Sequence, residues 1–169
     1  STLAGISSSL PPPFNKTATD ALPLRFDKGS VAANGGRKGE TLDRIRLSIG
    51  KVAAAQLLRR RDAGGKLVPE RGALVVGVPL VMPETGLVLA VSAPAIDLDF
   101  WRAALTPARG EQASENDAVS TLMPNQVAMT TASMDAAGVR FHDFDLRARR
   151  AGGKWLTTIA SQEMNGSLE

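Results

Sequence analysis

No cysteine, no tyrosine and a single histidine occur among the 169 residues, and aromatic residues make up only 4%. The absence of cysteine excludes disulfides, thiolate metal sites and thiol nucleophiles. No run reaches the roughly 18 apolar residues of a membrane-spanning helix, and no charged start followed by an apolar segment reads as a signal peptide. With so few rings, we expect an interior built from Ala, Val, Leu and Ile.

Charge and length place the chain among ordinary globular domains. Charged residues make up 22%, so disorder throughout is not expected. The net charge of +3 and the pI of about 9.7 give a mild basic bias. The length fits one domain over residues 1–169. Because the chain starts at Ser1 and ends in Leu168-Glu169, a dipeptide typical of a cloning site, we expect a fragment of a longer protein.

One basic phrase occurs twice: residues 147–155 read RARRAGGKW and residues 59–67 read RRRDAGGKL. A phosphate-binding loop would need Ser or Thr after the lysine and a helix behind it, whereas Trp155 and Leu67 follow here. Glycine pairs between strands are typical of hairpin turns. Basic residues interleaved with aromatics could also bind nucleic acid. Because acidic residues are nearly as numerous as basic ones, we expect no nucleic-acid binding. The sequence therefore predicts two solvent-exposed hairpins.

Short alternating segments dominate the rest of the chain. Apolar and polar residues alternate at strand period in 22–27, 44–49, 127–129, 139–148 and 155–159. Residues 73–78 and 86–93 are short apolar runs bounded by Pro and Gly, and the Ala- and Leu-rich segment 51–61 is interpreted as a strand because of its neighbours. The phase slips at His142-Asp143, which indicates a β-bulge. The prediction is a mainly β fold of about seven to nine antiparallel strands.

A single helix is predicted, and it should pack on the sheet as a plug. Asp97 or Asp99 can cap it, and its apolar face is expected to consist of Leu98, Trp101 and Leu105. Residues 1–21 are rich in Ser and Pro and predict an extended lead-in. Residues 107–125 mix Gly, Pro and polar residues and predict a long mobile loop.

No residue set for catalysis stands out. His142 beside Asp143 could serve as a general base, but no Gly-x-Ser-x-Gly nucleophile motif accompanies it, so a surface or bulge histidine is favoured. The pairs Asp97/Asp99 and Asp143/Asp145 could contact a hard cation, but no EF-hand loop is present and helix capping explains the first pair. We therefore expect no enzyme activity, no cofactor and no metal site.

Three segments resemble, in order, the YhdP-type, AsmA-like envelope proteins of Gram-negative bacteria. They are residues 8–26 (SSLPPPFNKTATDALPLRF), residues 86–105 (GLVLAVSAPAIDLDFWRAAL) and residues 141–161 (FHDFDLRARRAGGKWLTTIAS). The resemblance implies a curved antiparallel sheet, an open groove or a sandwich, within a bridge-like lipid transfer protein. It also implies a periplasmic location, with the parent protein anchored in the inner membrane.

From the same resemblance we expect the chain to contribute an apolar β-groove for phospholipid or fatty acyl chains between the inner and outer membranes. The groove candidates are Ile45, Leu47, Ile49, Leu74, Val76, Leu87, Leu89, Phe144 and Leu146. An ordinary closed core formed by the same residues remains open as an alternative. A second alternative is a structural or protein-interaction module of the cell envelope that pairs with the rest of the parent chain and binds no lipid.

Overall fold

A computed structural model describes residues 1–33, 40–105 and 122–169, apart from the side chain of Leu105. These residues form nine strands and one helix. In chain order they are β1 (Leu24–Ala32), β2 (Thr41–Ile49), β3 (Ala53–Arg61), β4 (Leu67–Val76), β5 (Gly86–Asp97), α1 (Leu98–Leu105), β6 (Gln126–Ala136), β7 (Val139–Ala151), β8 (Lys154–Ala160) and β9 (Asn165–Leu168). The mainly β class, the strand number and the single helix are confirmed. Within the described ranges, no helix combines the length and apolarity needed to cross a membrane.

The strands form one open sheet in which spatial order equals chain order, from β1 at one edge to β9 at the other. Neighbouring strands are antiparallel except that β5 is parallel to both β4 and β6. The sheet is therefore mixed, whereas the sequence predicted antiparallel strands throughout. The parallel pairs require connections that return along the sheet, namely residues 77–85 and the segment that contains α1.

Both copies of the basic phrase form hairpins, as predicted. In the first, Asp62 N donates to Lys66 O over 2.9 Å and Gly65 has a φ of 83°. In the second, Gly152 and Gly153 have φ values of 59° and 84°, a conformation that glycine adopts without steric cost. The β3–β4 and β7–β8 turns lie at the same end of the sheet, hereafter the hairpin end. The opposite end, where β5 leads into α1, is hereafter the helix end.

Helix α1 starts directly after Asp97, one of the two residues predicted to cap it. Asp97 Oδ1 accepts a hydrogen bond from Phe100 N over 2.7 Å, which satisfies one of the free N–H groups of the first turn. Asp99 has a different function: its carboxylate accepts from Ala137 N and Gly138 N at 3.1 and 3.2 Å. The two aspartates therefore fix both the start of α1 and its position beside the β6–β7 turn.

The lead-in, residues 1–21, contains no named strand and closes on itself through a bridge between Ser8 and Lys16. Its start runs along β1, where Ser1 O accepts from Leu24 N over 2.7 Å. Of the loop predicted over 107–125, residues 107–121 lie outside the described residues. Asn125 is held on β5, because its Oδ1 accepts from Leu87 N over 2.7 Å.

The phase slip at His142-Asp143 is real, but it is not a simple bulge. Asp143 has a φ of 51°, and Phe141 and Phe144, which lie on opposite sides of it in the chain, both contribute to one apolar cluster. The β6–β7 register nevertheless continues without a shift, from Thr131↔Phe144 to Ser133↔His142. Both strands therefore change phase at the same level, and no extra residue is inserted into either one.

Candidate groove on one face of the sheet

All of the predicted groove residues lie on one face of the sheet. Directly paired residues on neighbouring strands project to the same side, so the register defines the face. One row runs Leu47↔Ala55↔Leu74↔Leu89 across β2 to β5. The remaining candidates follow from the same pairings, through Leu89↔Val127 and Met129↔Leu146. This side is hereafter the groove face; it carries Ile45, Leu47, Ile49, Leu74, Val76, Leu87, Leu89, Phe144 and Leu146.

The opposite side of the same strands, hereafter the reverse face, is contacted at β4 by the connection 77–85. Arg71 Nη1 donates to Pro83 O over 3.4 Å, so the connection 77–85 lies over the face that carries Arg71. Leu58 and Val75 project to this side and are only 4% and 3% exposed. The described residues form a single sheet, with no second sheet packed on either side of these strands.

An apolar groove of about 300 Å³ lies on the groove face at β3, β4 and β5. Its floor includes the predicted Leu74, Leu87 and Leu89 and the unpredicted Ala55, Leu57 and Gly72, while Leu122 and Pro124 form a side wall. Leu74 is 48% exposed although it is central to the apolar surface. Leu57 was not predicted because it lies in the ambiguous Ala- and Leu-rich segment. Leu122 was not predicted because it falls in the predicted loop.

Gly72 shapes the groove floor by having no side chain. A Cβ at this position would lie 3.0 Å from Leu57 Cδ1, 3.0 Å from Leu87 Cδ2 and 2.9 Å from Gln56 O. Real side chains rarely approach so closely, so the neighbouring leucines converge on the space that glycine leaves free.

Toward the helix end the groove face is closed. Ala93, Ile96, Met134 and Phe144 form a buried cluster, and Trp101 of α1 packs against it together with Leu146. Phe14 of the lead-in meets Trp101 edge-to-face, with ring centroids 5.7 Å apart. Phe144 is only 5% exposed. Phe144 and Leu146 therefore belong to a closed core, whereas Leu74, Leu87 and Leu89 line an open groove.

The three residues predicted to form the apolar face of the helix differ in their surroundings. Trp101 packs on the buried cluster, as a plug requires. Leu98, in contrast, is 36% exposed. The side chain of Leu105 lies outside the described residues.

A second, shallower hollow of about 720 Å³ lies at the helix end. Ser92, Thr130, Asp143 and Asp145 border it, so its lining carries hydroxyls and carboxylates. Pro13 of the lead-in forms one margin. Such a rim does not provide the continuous apolar lining of the groove at β3 to β5.

The single histidine is bound by a residue that the sequence did not suggest. His142 Nδ1 lies 2.6 Å from Glu163 Oε1, and His142 N donates to Glu163 Oε2 over 2.9 Å. Asp143, its neighbour in sequence, instead accepts from Gln162 Nε2 over 2.7 Å. These contacts hold the β8–β9 turn on β7. They are contacts between the turn and the neighbouring strand.

The hydrogen bonds from His142 lower the pKa of Glu163 from 4.5 to about 2. A carboxyl group whose pKa is lower in the folded than in the unfolded state contributes stability above pH 4.5, and this contribution is lost as the pH falls toward 2. We expect the melting temperature of Glu163→Gln to fall less than that of the unaltered protein between pH 5 and pH 2. Thermal unfolding across that range measures it. Glu84→Gln, which changes an exposed carboxylate elsewhere, serves as the control, and equal slopes for both variants would contradict the prediction.

The aspartates considered as cation ligands are occupied in other contacts. Asp97 caps α1, Asp143 accepts from Gln162, and Asp145 Oδ1 accepts from Arg147 Nε over 3.2 Å. Among residues 1–33, 40–105 and 122–169, no group of three or more His, Asp or Glu side chains is placed to hold a metal ion.

Comparison with known proteins gives one result that covers the whole chain. The family model described as YhdP protein matches residues 1–169. No curated protein and no solved structure matches the chain. The family match is therefore the comparison from which a function for the open sheet and its apolar groove can be proposed.

Proposed function

This chain belongs to the YhdP family, and from that premise we propose that it is a non-enzymatic, lipid-carrying segment of a periplasmic protein that moves phospholipid between the inner and outer membranes. Its groove face would hold a fatty acyl chain. The parent protein would be anchored in the inner membrane, and the remainder of that parent would continue the path of the lipid.

The observation that carries this proposal is the groove of about 300 Å³ lined by aliphatic side chains on an open sheet. An acyl chain gains about 0.8 kcal/mol for each CH₂ group that it buries, so binding needs no specific polar contact in the groove. Leu74 is 48% exposed and is available to such a chain. Because no ring projects from the floor residues, the lining is smooth and can accept flexible chains of different lengths.

The direct test is native mass spectrometry of the protein purified from a membrane-containing host without detergent. We expect mass increments equal to phospholipid or fatty acid, lost on extraction with organic solvent and regained with added lipid. A protein that carries no lipid after purification and takes up none when mixed with short-chain phospholipid would contradict the proposal.

A second candidate function rests on the edges of the sheet. Within the described ranges β1 has a strand partner only in β2 and β9 only in β8, so, apart from the contact of Leu24 with Ser1, each presents a row of backbone groups to other strands. Edge strands with free backbone groups are templates for further pairing. On this alternative the chain is a structural module of the envelope. Its expected signature is a pull-down that retains an envelope protein, together with a native mass spectrum that contains no lipid.

A further inference from the structure

The groove face changes from apolar to charged along the direction of the strands. From the helix end to the hairpin end, the groove-face residues of β3 are Ala53, Ala55, Leu57, Arg59 and Arg61. The same change occurs on β2, whereas the groove face of β4 stays apolar along its length. On β2 the order is Ile49, Leu47, Ile45, Asp43 and Thr41, and on β4 it is Val76, Leu74 and Gly72, followed beyond the register shift by Pro69 and Leu67.

The apolar groove continues into this charged region. A smaller hollow of about 160 Å³ is bordered by Leu57, Arg59, Lys66 and Leu122. Leu57 and Leu122 also border the 300 Å³ groove, so the two spaces adjoin. Ala53 is only 9% exposed, and the groove lining on β3 begins at Ala55. From Ala55 to Arg59 the face extends about 13 Å at the usual rise of a strand. The hydrocarbon of one membrane leaflet is about 15 Å deep, so most of an acyl chain can lie along β3 with its head group beside Arg59.

The two cations at this hollow differ in how their charge is already matched. Arg59 Nε and Nη2 donate to Asp43 Oδ2 at 3.0 and 2.5 Å, which balances the charge of this arginine and fixes its position. Lys66 donates its backbone N–H to Asp62 Oδ1 over 2.9 Å, but in the described part of the chain its ammonium group makes no ion pair. Lys66 is therefore the cation that remains to be matched by an external anion.

The neighbouring contacts hold Lys66 at the mouth of the groove. Arg61 Nη1 donates to Gly65 O over 2.5 Å, which ties the arginine to the turn immediately before Lys66. Gly65 itself donates to Asp62 O over 3.0 Å. The turn is thus closed by its own hydrogen bonds and presents the lysine beside the apolar floor. The first copy of the repeated basic phrase, residues 59–67, thus places a lysine next to the groove.

We propose that the hairpin end of the groove binds the phosphate head group of a phospholipid, with Lys66 as its cationic partner, while the acyl chain extends over Leu57 and Leu74 toward the helix end. This inference rests on the proposed function. A phosphate oxygen forms short, charge-assisted hydrogen bonds with an ammonium group. At the helix end the groove face carries the aliphatic Leu24, Ile49 and Val76, and the lysine of the β2–β3 turn, Lys51, borders neither the 300 Å³ groove nor the 160 Å³ hollow.

The test compares two amphiphiles with the same tail, dodecyl phosphate and dodecyl maltoside, below their micellar concentrations, with inorganic phosphate as a third probe. Affinities are measured by isothermal titration calorimetry. We expect Lys66→Gln to weaken the binding of dodecyl phosphate about fivefold to tenfold and to leave the affinity for dodecyl maltoside unchanged. Lys51→Gln removes an exposed lysine from the β2–β3 turn at the helix end and should change neither affinity.

Five outcomes would overturn the inference. If Lys66→Gln weakens the binding of both amphiphiles equally, the lysine contributes to the shape of the groove and not to head-group binding. If Lys51→Gln weakens the binding of dodecyl phosphate as much as Lys66→Gln does, the effect is one of net charge. Inorganic phosphate that binds as tightly as dodecyl phosphate would indicate an anion site that is independent of lipid. If neither amphiphile binds the unaltered protein, the proposed function itself fails. If both bind it and Lys66→Gln changes neither affinity, the groove remains and only the head-group site is rejected.

Discussion

Leu74→Asp is expected to weaken the binding of an acyl probe at least tenfold while the sheet stays folded. Leu74 lies at the centre of the groove floor, and its side chain is 48% exposed. In the free protein the new carboxylate can therefore stay hydrated. A bound acyl chain would remove that water without offering a hydrogen bond, and the desolvation of an unpaired charge is strongly unfavourable. Displacement of a fluorescent fatty acid measures the change in affinity.

Val81→Asp is the matched control for this variant. Val81 is also an exposed aliphatic residue, at 74%, but it lies in the connection 77–85, which contacts the reverse face. The same charge is introduced, so any loss of affinity caused by net charge alone would occur in both variants. We expect Val81→Asp to bind the probe as the unaltered protein does. Equal losses in both variants, with both proteins folded by circular dichroism, would show that the groove is not where acyl chains bind.

The sequence predicted the strands and the composition of each face because alternation is a local property. A residue at every second position reaches the same side whatever the strand pairs with, so Ile45, Leu47 and Ile49 could be assigned together. The β3 strand was less certain from propensity alone, and its neighbours decided the assignment correctly. The hairpins at Gly65 and Gly152-Gly153 were predictable because glycine determines the turn locally.

The parallel pairing of β4 with β5 could not be read from the chain. Residues 77–85 contain Pro79 and Pro83 and are shorter than the dozen or so residues of a usual crossover, so they resemble a turn between antiparallel strands. The direction of β5 is instead set by contacts distant in sequence, such as that of Arg71 with Pro83 O and that of Leu87 with Asn125. The phase change at Asp143 is similar, because one strand's sequence does not show that its partner changes phase at the same level.

The division of the groove face into open and closed parts was also hidden from the sequence. Leu74 and Phe144 both fit the inward alternation, yet one is 48% and the other 5% exposed. The difference arises from what lies over them. Trp101 and its contact with Phe14 cover the cluster at Phe144, and these contacts join segments that are far apart in the chain. Alternation therefore identifies a face, while the distant segments decide which part of it is accessible.

Phe144→Ala is expected to lower the free energy of unfolding by about 3–5 kcal/mol, the range measured for removing a buried aromatic ring from a core. Phe144 is buried with Met134 and Ile96, and Phe141 lies with its ring centroid 6.0 Å from that of Phe144. Truncation would remove these contacts and leave a cavity that strands in a continuous register cannot readily close. Because domains of this size are stable by only about 5–15 kcal/mol, the loss is a large fraction of the total.

Phe26→Ala is the control, since it removes the same ring from the same face of the sheet at a position that is 61% exposed. We expect it to change stability by less than about 1 kcal/mol. Urea unfolding gives both values, and unchanged slopes would show that the denatured state is not the cause. If Phe144→Ala does not fold, Phe144→Leu should still cost about 1 kcal/mol or more, since it removes only part of the ring volume. A cost for Phe144→Ala as small as that for Phe26→Ala would mean that the helix end of the groove face is open, and that lipid could extend beneath Trp101.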